Sequence, residues 1–183
     1  PIMDGSAKDY VETLKKADIV EQEAKRDYLV IEDTVHYHDD KTNVDIVALP
    51  LKDDFRISVM IDYNNPALGV QHTGLFNLQK EFEKEFAPSR TFCFLSEIEY
   101  LRAQGLIKGG DLNNAIVIVD KDANPEELNK MKVELGIEES IILGSSGTLN
   151  DKELRFKNEP ARHKLLDLIG DMALIGAPVK GQI

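Results

Sequence analysis

Between Ile19 and Asn77 the chain falls into five short runs rich in β-branched and aromatic residues: Tyr28-Leu29-Val30-Ile31, Val35 to His38, Val44 to Leu49, Phe55 to Tyr63 and Gln71 to Phe76. Clusters that favour turns separate them, at Asp39-Asp40-Lys41-Thr42-Asn43, Pro50 to Asp54 and Asn64-Asn65-Pro66. These runs predict the strands of an antiparallel sheet. Ahead of them, Tyr10, Val11 and Leu14 at i, i+1 and i+4 predict a short connecting helix over Ala7 to Lys16, with Ser6 as its N-cap. After them the period changes. Leu78, Phe82 and Phe86 recur every fourth residue among Lys and Glu, which predicts a one-sided helix lying on the sheet.

A compact β-α-β pattern follows. Thr91 to Phe94 reads as a strand, Ser96 to Gln104 as a Ser-capped helix stopped by Gly105, and Ala115 to Val119 as a second strand, with the Gly-rich loop Ile107 to Asp111 between them. Pro125 to Leu135, with Asn124 as N-cap, predicts an acidic helix leading to a short strand at Ser140 to Leu143. The last long element is a helix from Pro160 to Leu174, ended by Gly176 and Pro178. The alternating strands need cover on one face, so the expected fold is α+β: an antiparallel sheet with the helices Leu78 to Phe86 and Pro160 to Leu174 on one face, plus the β-α-β insert.

Composition narrows the functions open to this fold. The 183 residues carry 22 Lys and Arg against 33 Asp and Glu, a formal net charge of -11. Such a surface repels a phosphate backbone, which argues against nucleic acid as a partner. A single cysteine, Cys93, excludes an internal disulfide and a Cys-rich zinc module and fits the reducing cytoplasm. It lies between two Phe with no basic neighbour, as a buried structural thiol does. No apolar stretch approaches the about 20 residues that span a bilayer, so no membrane span is expected.

The chemistry concentrates on the last helix. At 100° per residue, with His163 at zero, Asp167 falls at about 40°, Asp171 at about 80° and Gly170 at about -20°. These four form one column, while Leu165, Leu168, Ile169, Met172 and Ala173 form the opposite stripe. An imidazole and a carboxylate at i and i+4 can reach one metal ion from a single helix, or they can be an ion pair on a solvated face. Gly170 costs about 1 kcal/mol relative to Ala inside a helix, which suggests close approach of another group at the column. A catalytic zinc takes three protein ligands, so a third must come from elsewhere. Two other patterns read as ordinary surface: His36 and His38 share one face of a strand beside a hairpin turn, and Gly144-Ser145-Ser146-Gly147 lacks the Lys-Ser/Thr of a phosphate loop.

The run Leu154-Arg155-Phe156-Lys157-Asn158-Glu159-Pro160-Ala161-Arg162-His163-Lys164-Leu165-Leu166-Asp167-Leu168-Ile169-Gly170-Asp171 closely resembles the second domain of the UDP-3-O-acyl-N-acetylglucosamine deacetylases, zinc enzymes of lipid A synthesis. Thr91-Phe92-Cys93-Phe94, followed by Ile98-Glu99-Tyr100 and Gly109-Gly110, resembles the β-α-β insert of that domain. Pro1-Ile2-Met3-Asp4-Gly5-Ser6-Ala7 is similar to the end of the family's first domain. The resemblance implies that residues 1–17 are the tail of a preceding domain and a linker. It makes 18–183 the second domain, with its insert at about 91–120. The chain begins without an initiator Met and looks like a piece of a longer protein.

For the site, the resemblance implies that His163 and Asp167 are zinc ligands and that Asp171 orients a catalytic His lying outside this chain. Lys164 would face the nucleotide pyrophosphate of the UDP-sugar substrate. Thr91 would support the oxyanion with Phe92 beside it, and Leu95, Ile98, Ile107, Leu112 and Val117, with Gly110 at the mouth, would line a passage for the fatty acyl chain. Asp111 departs from the family, where a small residue is usual. The general base and third ligand, a Glu-His pair, would come from the missing first domain, and the catalytic His from a C-terminal Gly-Gly-His segment. The chain alone should then be inactive. The competing expectation is a metal-free binding or assembly module whose polar column is only surface.

Overall fold

The computed structural model describes residues 3–107, 109–135, 141–142 and 146–183. Helix α1 (Lys8–Lys15) leads to the short strand β1 (Leu29–Val30), the hairpin of β2 (Val35–Asp39) and β3 (Val44–Ala48), and the pair β4 (Phe55–Ile61) and β5 (Gln71–Leu75). Then come α2 (Leu78–Glu81), which continues as a π turn over Phe82–Phe86, and β6 (Phe92–Phe94). A 3-10 turn (Leu95–Glu97) passes into α3 (Ile98–Ala103), and the chain ends with β7 (Ile116–Ile118), α4 (Pro125–Leu135), α5 (Glu159–Ala173) and β8 (Val179–Gln182).

The fold is α+β, with a difference in how the strands are shared. The five expected strands do not form one antiparallel sheet. β2 and β3 pair only with each other, and a four-stranded sheet has the order β1-β8-β4-β5. Within it β4 and β5 are antiparallel, whereas β8 is parallel to both β1 and β4. β8 was not expected as a strand because Pro178 and Gly181 punctuate it. Gly181 is needed there, since a Cβ would lie 2.4 Å from Cδ1 of Ile31.

Alternation along β4 decides where the helices sit. Ile57 and Ile61 are buried while Met60, on the other face, is 73% exposed. Ile57 and Leu75 meet Phe82 and Phe86 of the π turn and Leu165, Leu168 and Ile169 of α5 in one core, so both helical elements lie on the same face of the sheet. The insert has its own interior. Parallel strands β6 and β7 pair Phe92 with Ile116, Cys93 with Val117 and Phe94 with Ile118. Phe94, Ile116 and Ile118 pack on one side; Val117 packs on the other with Leu95, Ile98, Met131 and Leu149.

Local signals held in part. Asn124 caps α4, accepting from the N–H of Glu126 and Glu127, and Gly105 (φ 67°) and Gly176 (φ 81°) follow their helices. Ser6 sits one residue ahead of the observed cap position, Ala7, though its Oγ accepts from Lys8 N. Ser96 does not cap its helix: its hydroxyl goes to Asp120, and the Glu97 carboxylate takes the N–H of Phe94. The strand expected at Ser140 to Leu143 and the Gly144-Ser145 part of the loop lie largely outside the described residues.

The sheet–helix layer and the insert are joined by a buried ion pair. Arg90 Nε and Nη2 donate to the two carboxylate oxygens of Glu159 at 2.9 and 3.0 Å, and the backbone N–H groups of Arg90 and Arg155 donate to them as well. Glu159 is fully buried and Arg90 is 6% exposed. Burial pushes the Glu159 carboxyl up, but the bonds from Arg90 and Arg155 outweigh it and hold the group below its ordinary value of 4.5. Removing one partner leaves the other charge buried and unpaired, so Glu159→Ala should destabilise the fold by about 3–5 kcal/mol in urea denaturation. Because the folded-state value is depressed, the stabilisation is complete above about pH 4.5 and is lost as pH falls through the depressed value. Glu159→Ala should therefore lack this part of the acid dependence.

Candidate functional site

His163 lies one turn into α5, where Glu159 and Pro160 start the helix against the segment before β6. Its ring is buried, and Nδ1 lies 2.9 Å from the carbonyl oxygen of Ser89. A carbonyl only accepts, so Nδ1 carries a hydrogen, and Nε2 is the ring nitrogen left facing away from Ser89. Nε2 is 3.4 Å from Oδ1 of Asp167. Two acceptors facing each other at this distance need a proton or a cation between them. Tetrahedral zinc with bonds of about 2.1 Å separates its ligands by about 3.4 Å, so the pair fits two positions of such a site. A carbonyl behind the ring is also the usual support of a metal-binding His. Among the described residues no group of three His, Cys, Asp or Glu side chains could hold a metal, so there His163 and Asp167 stand as a pair.

Beyond this pair the column opens to solvent. Asp167 also receives Lys164 Nζ at 3.1 Å, and the same ammonium stands 5.7 Å from the centre of the Phe92 ring. Asp171 is exposed, with no side-chain hydrogen bond or ion pair among the described residues. The expectation that Gly170 admits a close neighbour is not met among the described residues, where a Cβ would meet nothing within 4 Å. His163 itself differs from the solvated face read off the helical wheel, because the 86–91 segment packs across it.

His163 borders a cavity of about 630 Å³, within the range of small-molecule sites. Thr91, Phe92, Ile98, Ile107, Gly110, Leu112 and Val117 border it too, so the structure brings these predicted residues to one space. The Thr91 hydroxyl makes no hydrogen bond among the described residues, which leaves it open to a ligand. Leu95 is not in the wall. The strand ends at Phe94 and the 3-10 turn carries Leu95 into the insert's core, where it is fully buried. Lys164, Asp167 and Asp171 also lie outside the cavity lining, along the exposed continuation of the column. Cys93 borders it without being reactive: burial first, then Glu97 and Asp120, push its thiol up to about 11. His36 and His38 are remote from it on β2, each 3.0 Å from Oδ1 of Asp45 on an exposed hairpin.

The sequence pattern missed the support of the site. Arg90 and Glu159 gave no sign of pairing across 69 positions, and a backbone carbonyl such as that of Ser89 has no sequence signature. Gly5 had one, as a glycine before a helix: with φ at 78°, a Cβ there would lie 2.0 Å from the Asn114 carbonyl oxygen. Tyr10, Leu101, Leu106 and Leu166 also line the cavity.

A family model described as UDP-3-O-acyl N-acetylglycosamine deacetylase matches residues 1–135 and 126–183. The bifunctional enzyme LpxC/FabZ of Chlorobaculum tepidum is 56% identical over 184 residues, covering 100% of this chain and 39% of that protein. That of Porphyromonas gingivalis is 41% identical, again over 100% of this chain and 39% of its own length. The UDP-3-O-acyl-N-acetylglucosamine deacetylase of Syntrophotalea carbinolica is 37% identical, with 100% of this chain and 50% of that protein covered. The chain thus spans half the length of these relatives or less.

The hydrogen bond to Ser89 sets the tautomer of His163. In chelator-treated protein at pH 8, long-range 1H–15N spectra should show its neutral ring protonated at Nδ1. Protonation at Nε2 would mean that the ring is turned and Nε2 is not free for a cation.

Proposed function

The chain belongs to the UDP-3-O-acyl N-acetylglycosamine deacetylase family, and on that premise we propose that it forms one part of a zinc-dependent amide hydrolase. In this proposal the complete protein cleaves the acetamide of UDP-3-O-acyl-N-acetylglucosamine, a step of lipid A biosynthesis, in the cytoplasm. Residues 18–183 are its second domain, with the insert at about 91–120, and 1–17 are the tail of the first domain and the linker. No helix among the described residues is long and apolar enough to cross a membrane. The observation that carries the proposal is the pairing of His163 Nε2 with Asp167 Oδ1 at 3.4 Å beside an apolar cavity that also holds Thr91.

His163 and Asp167 would hold the ion, with the Ser89 carbonyl fixing the imidazole in the tautomer that can bind. A zinc bound there would supply Lewis acidity toward the acetamide carbonyl and toward water. The Thr91 hydroxyl donates toward the carbonyl oxygen as negative charge develops on it. Lys164 pairs with the pyrophosphate, exchanging Asp167 for phosphate oxygens, while Phe92 packs beside the substrate. The apolar wall of Ile98, Ile107, Leu112 and Val117 holds the acyl chain and excludes water. Amide hydrolysis further needs a base for the water and an acid for the leaving amine. These come from outside this chain: a Glu-His pair that also supplies the third ligand, and a His that Asp171 orients.

Calorimetric zinc titration tests the ligand assignment and separates the hydrolase from a metal-free module. The complete protein should bind one zinc tightly, His163→Ala should weaken binding at least 100-fold, and the chain alone should bind weakly. Tight binding that survives His163→Ala would reject the assignment. A second test concerns the cavity. Gly110→Leu in the complete protein should lower kcat/KM for long-chain substrate at least tenfold more than for short-chain substrate, with little change in melting temperature. Equal loss at every chain length would point to a general disturbance of the loop.

A further inference from the structure

Residues 4–7 are built into the cavity wall. The Asp4 carboxylate takes Arg155 Nη2 at 2.7 Å and the N–H and hydroxyl of Ser6. Arg155 Nη1 also donates to the Pro88 carbonyl. Thr91 N donates to the Gly5 carbonyl and Ala7 N to that of Ala87, both at 2.9 Å. With Gly5 pressed against Asn114, the segment is wedged between β6 and the turn at 111–114. It delivers α1, and with it Tyr10, to the same cavity that the insert walls on its other side.

A residue that lines a cavity and is still open to solvent marks an opening. Tyr10 is 45% exposed and Leu106 68%, whereas Ile98, Val117 and Leu149 are buried. Asp111, the remaining exposed lining residue, presents a charge that accepts the N–H groups of Asn113 and Asn114. The exposed apolar members of the lining are therefore Tyr10 and Leu106, one from the linker helix and one from the insert. None of the residues of α1 is buried, so the ring is carried by the anchored segment and can yield to a ligand without disturbing a core.

We propose that Tyr10 is a specificity-determining residue that closes the outer end of the cavity and sets how long an acyl chain is accepted. This rests on the proposed role of the cavity as the acyl passage. A chain whose sugar end lies at His163 and Thr91 leaves by the apolar opening, and Tyr10 meets its last methylenes. The limit is graded, because the ring can be displaced.

The test uses the complete protein that contains this chain, with substrates differing by four acyl carbons. Tyr10→Ala should raise the long-to-short ratio of kcat/KM by about fourfold for each methylene newly accommodated, and Tyr10→Trp should lower it. Melting curves confirm that both variants fold. An unchanged ratio in both variants, or equal loss at all chain lengths, overturns the proposal. If Gly110→Leu discriminates by chain length while the Tyr10 variants do not, this inference alone fails. If none of the three discriminates, the reading of the cavity as an acyl passage fails, and this inference with it.

Discussion

The buried pair of Arg90 and Glu159 is the constraint on which the rest of the structure hangs. Two charges taken out of water are tolerated only when nearly every polar atom is satisfied. Here the carboxylate receives four hydrogen bonds, and Arg90 Nη2 also donates to the Glu153 carbonyl. That requirement brings three stretches of chain to one point: the residues before β6, the loop at 153–155 and the first turn of α5. The neighbours of the pair are the residues of interest. Ser89 precedes Arg90 and holds the His163 ring, Thr91 follows it and faces the cavity, and His163 lies one turn beyond Glu159. A stability device and a site thus share a backbone, and the position of the imidazole is set by an interaction that never touches it.

The cavity follows from having separate cores instead of one. The sheet face closes on Phe86 and Leu165, while the insert closes on Leu95, Met131 and Leu149. Neither core fills the space between α5, β6 and the linker, and the walls there are apolar because each belongs to the edge of a packed layer. Glycine at 5 lets the linker approach the Asn114 carbonyl within the distance a side chain would need. The wall is therefore fixed by backbone hydrogen bonds, which leaves side chains such as Leu112 and Ile107 free to shape the volume.

Local signals made the elements legible: the helix at 78–86 falls where the spacing of apolar residues puts it, and α3, α4 and α5 fall where their flanking Ser, Asn, Pro and Gly residues put them, while strand alternation showed only that one face needs cover. Sheet membership was not legible. Strand pairing is a long-range property, and the central strand β8 is short, carries Lys180 and Gly181, and borders Pro178. The His163, Asp167 and Asp171 column was visible from the 3.6-residue repeat alone, but the burial of His163 was not, because the covering segment at 86–91 lies far away in sequence. Leu95 shows the limit of alternation: it shares parity with Cys93, and the change to a 3-10 turn sends it into the core instead of the wall.

Helix α5 runs from a rigid end to an open one. Its first turn is buried and tied by Glu159, Pro160 and Ala161, and its first polar column residue, His163, is oriented on a fixed carbonyl. One turn later Asp167 is half exposed and shared with Lys164, and a turn beyond that Asp171 is exposed and a Cβ at Gly170 would meet none of the described residues within 4 Å. A helix that weakens itself with glycine by about 1 kcal/mol on an open face is stabilised by its other face, where Leu168 and Ile169 pack on the sheet. In the proposed reading, this gradient holds one donor, His163, in place before any ion arrives. Asp167, in the same reading, settles only once an ion and the rest of its coordination shell come down on the column.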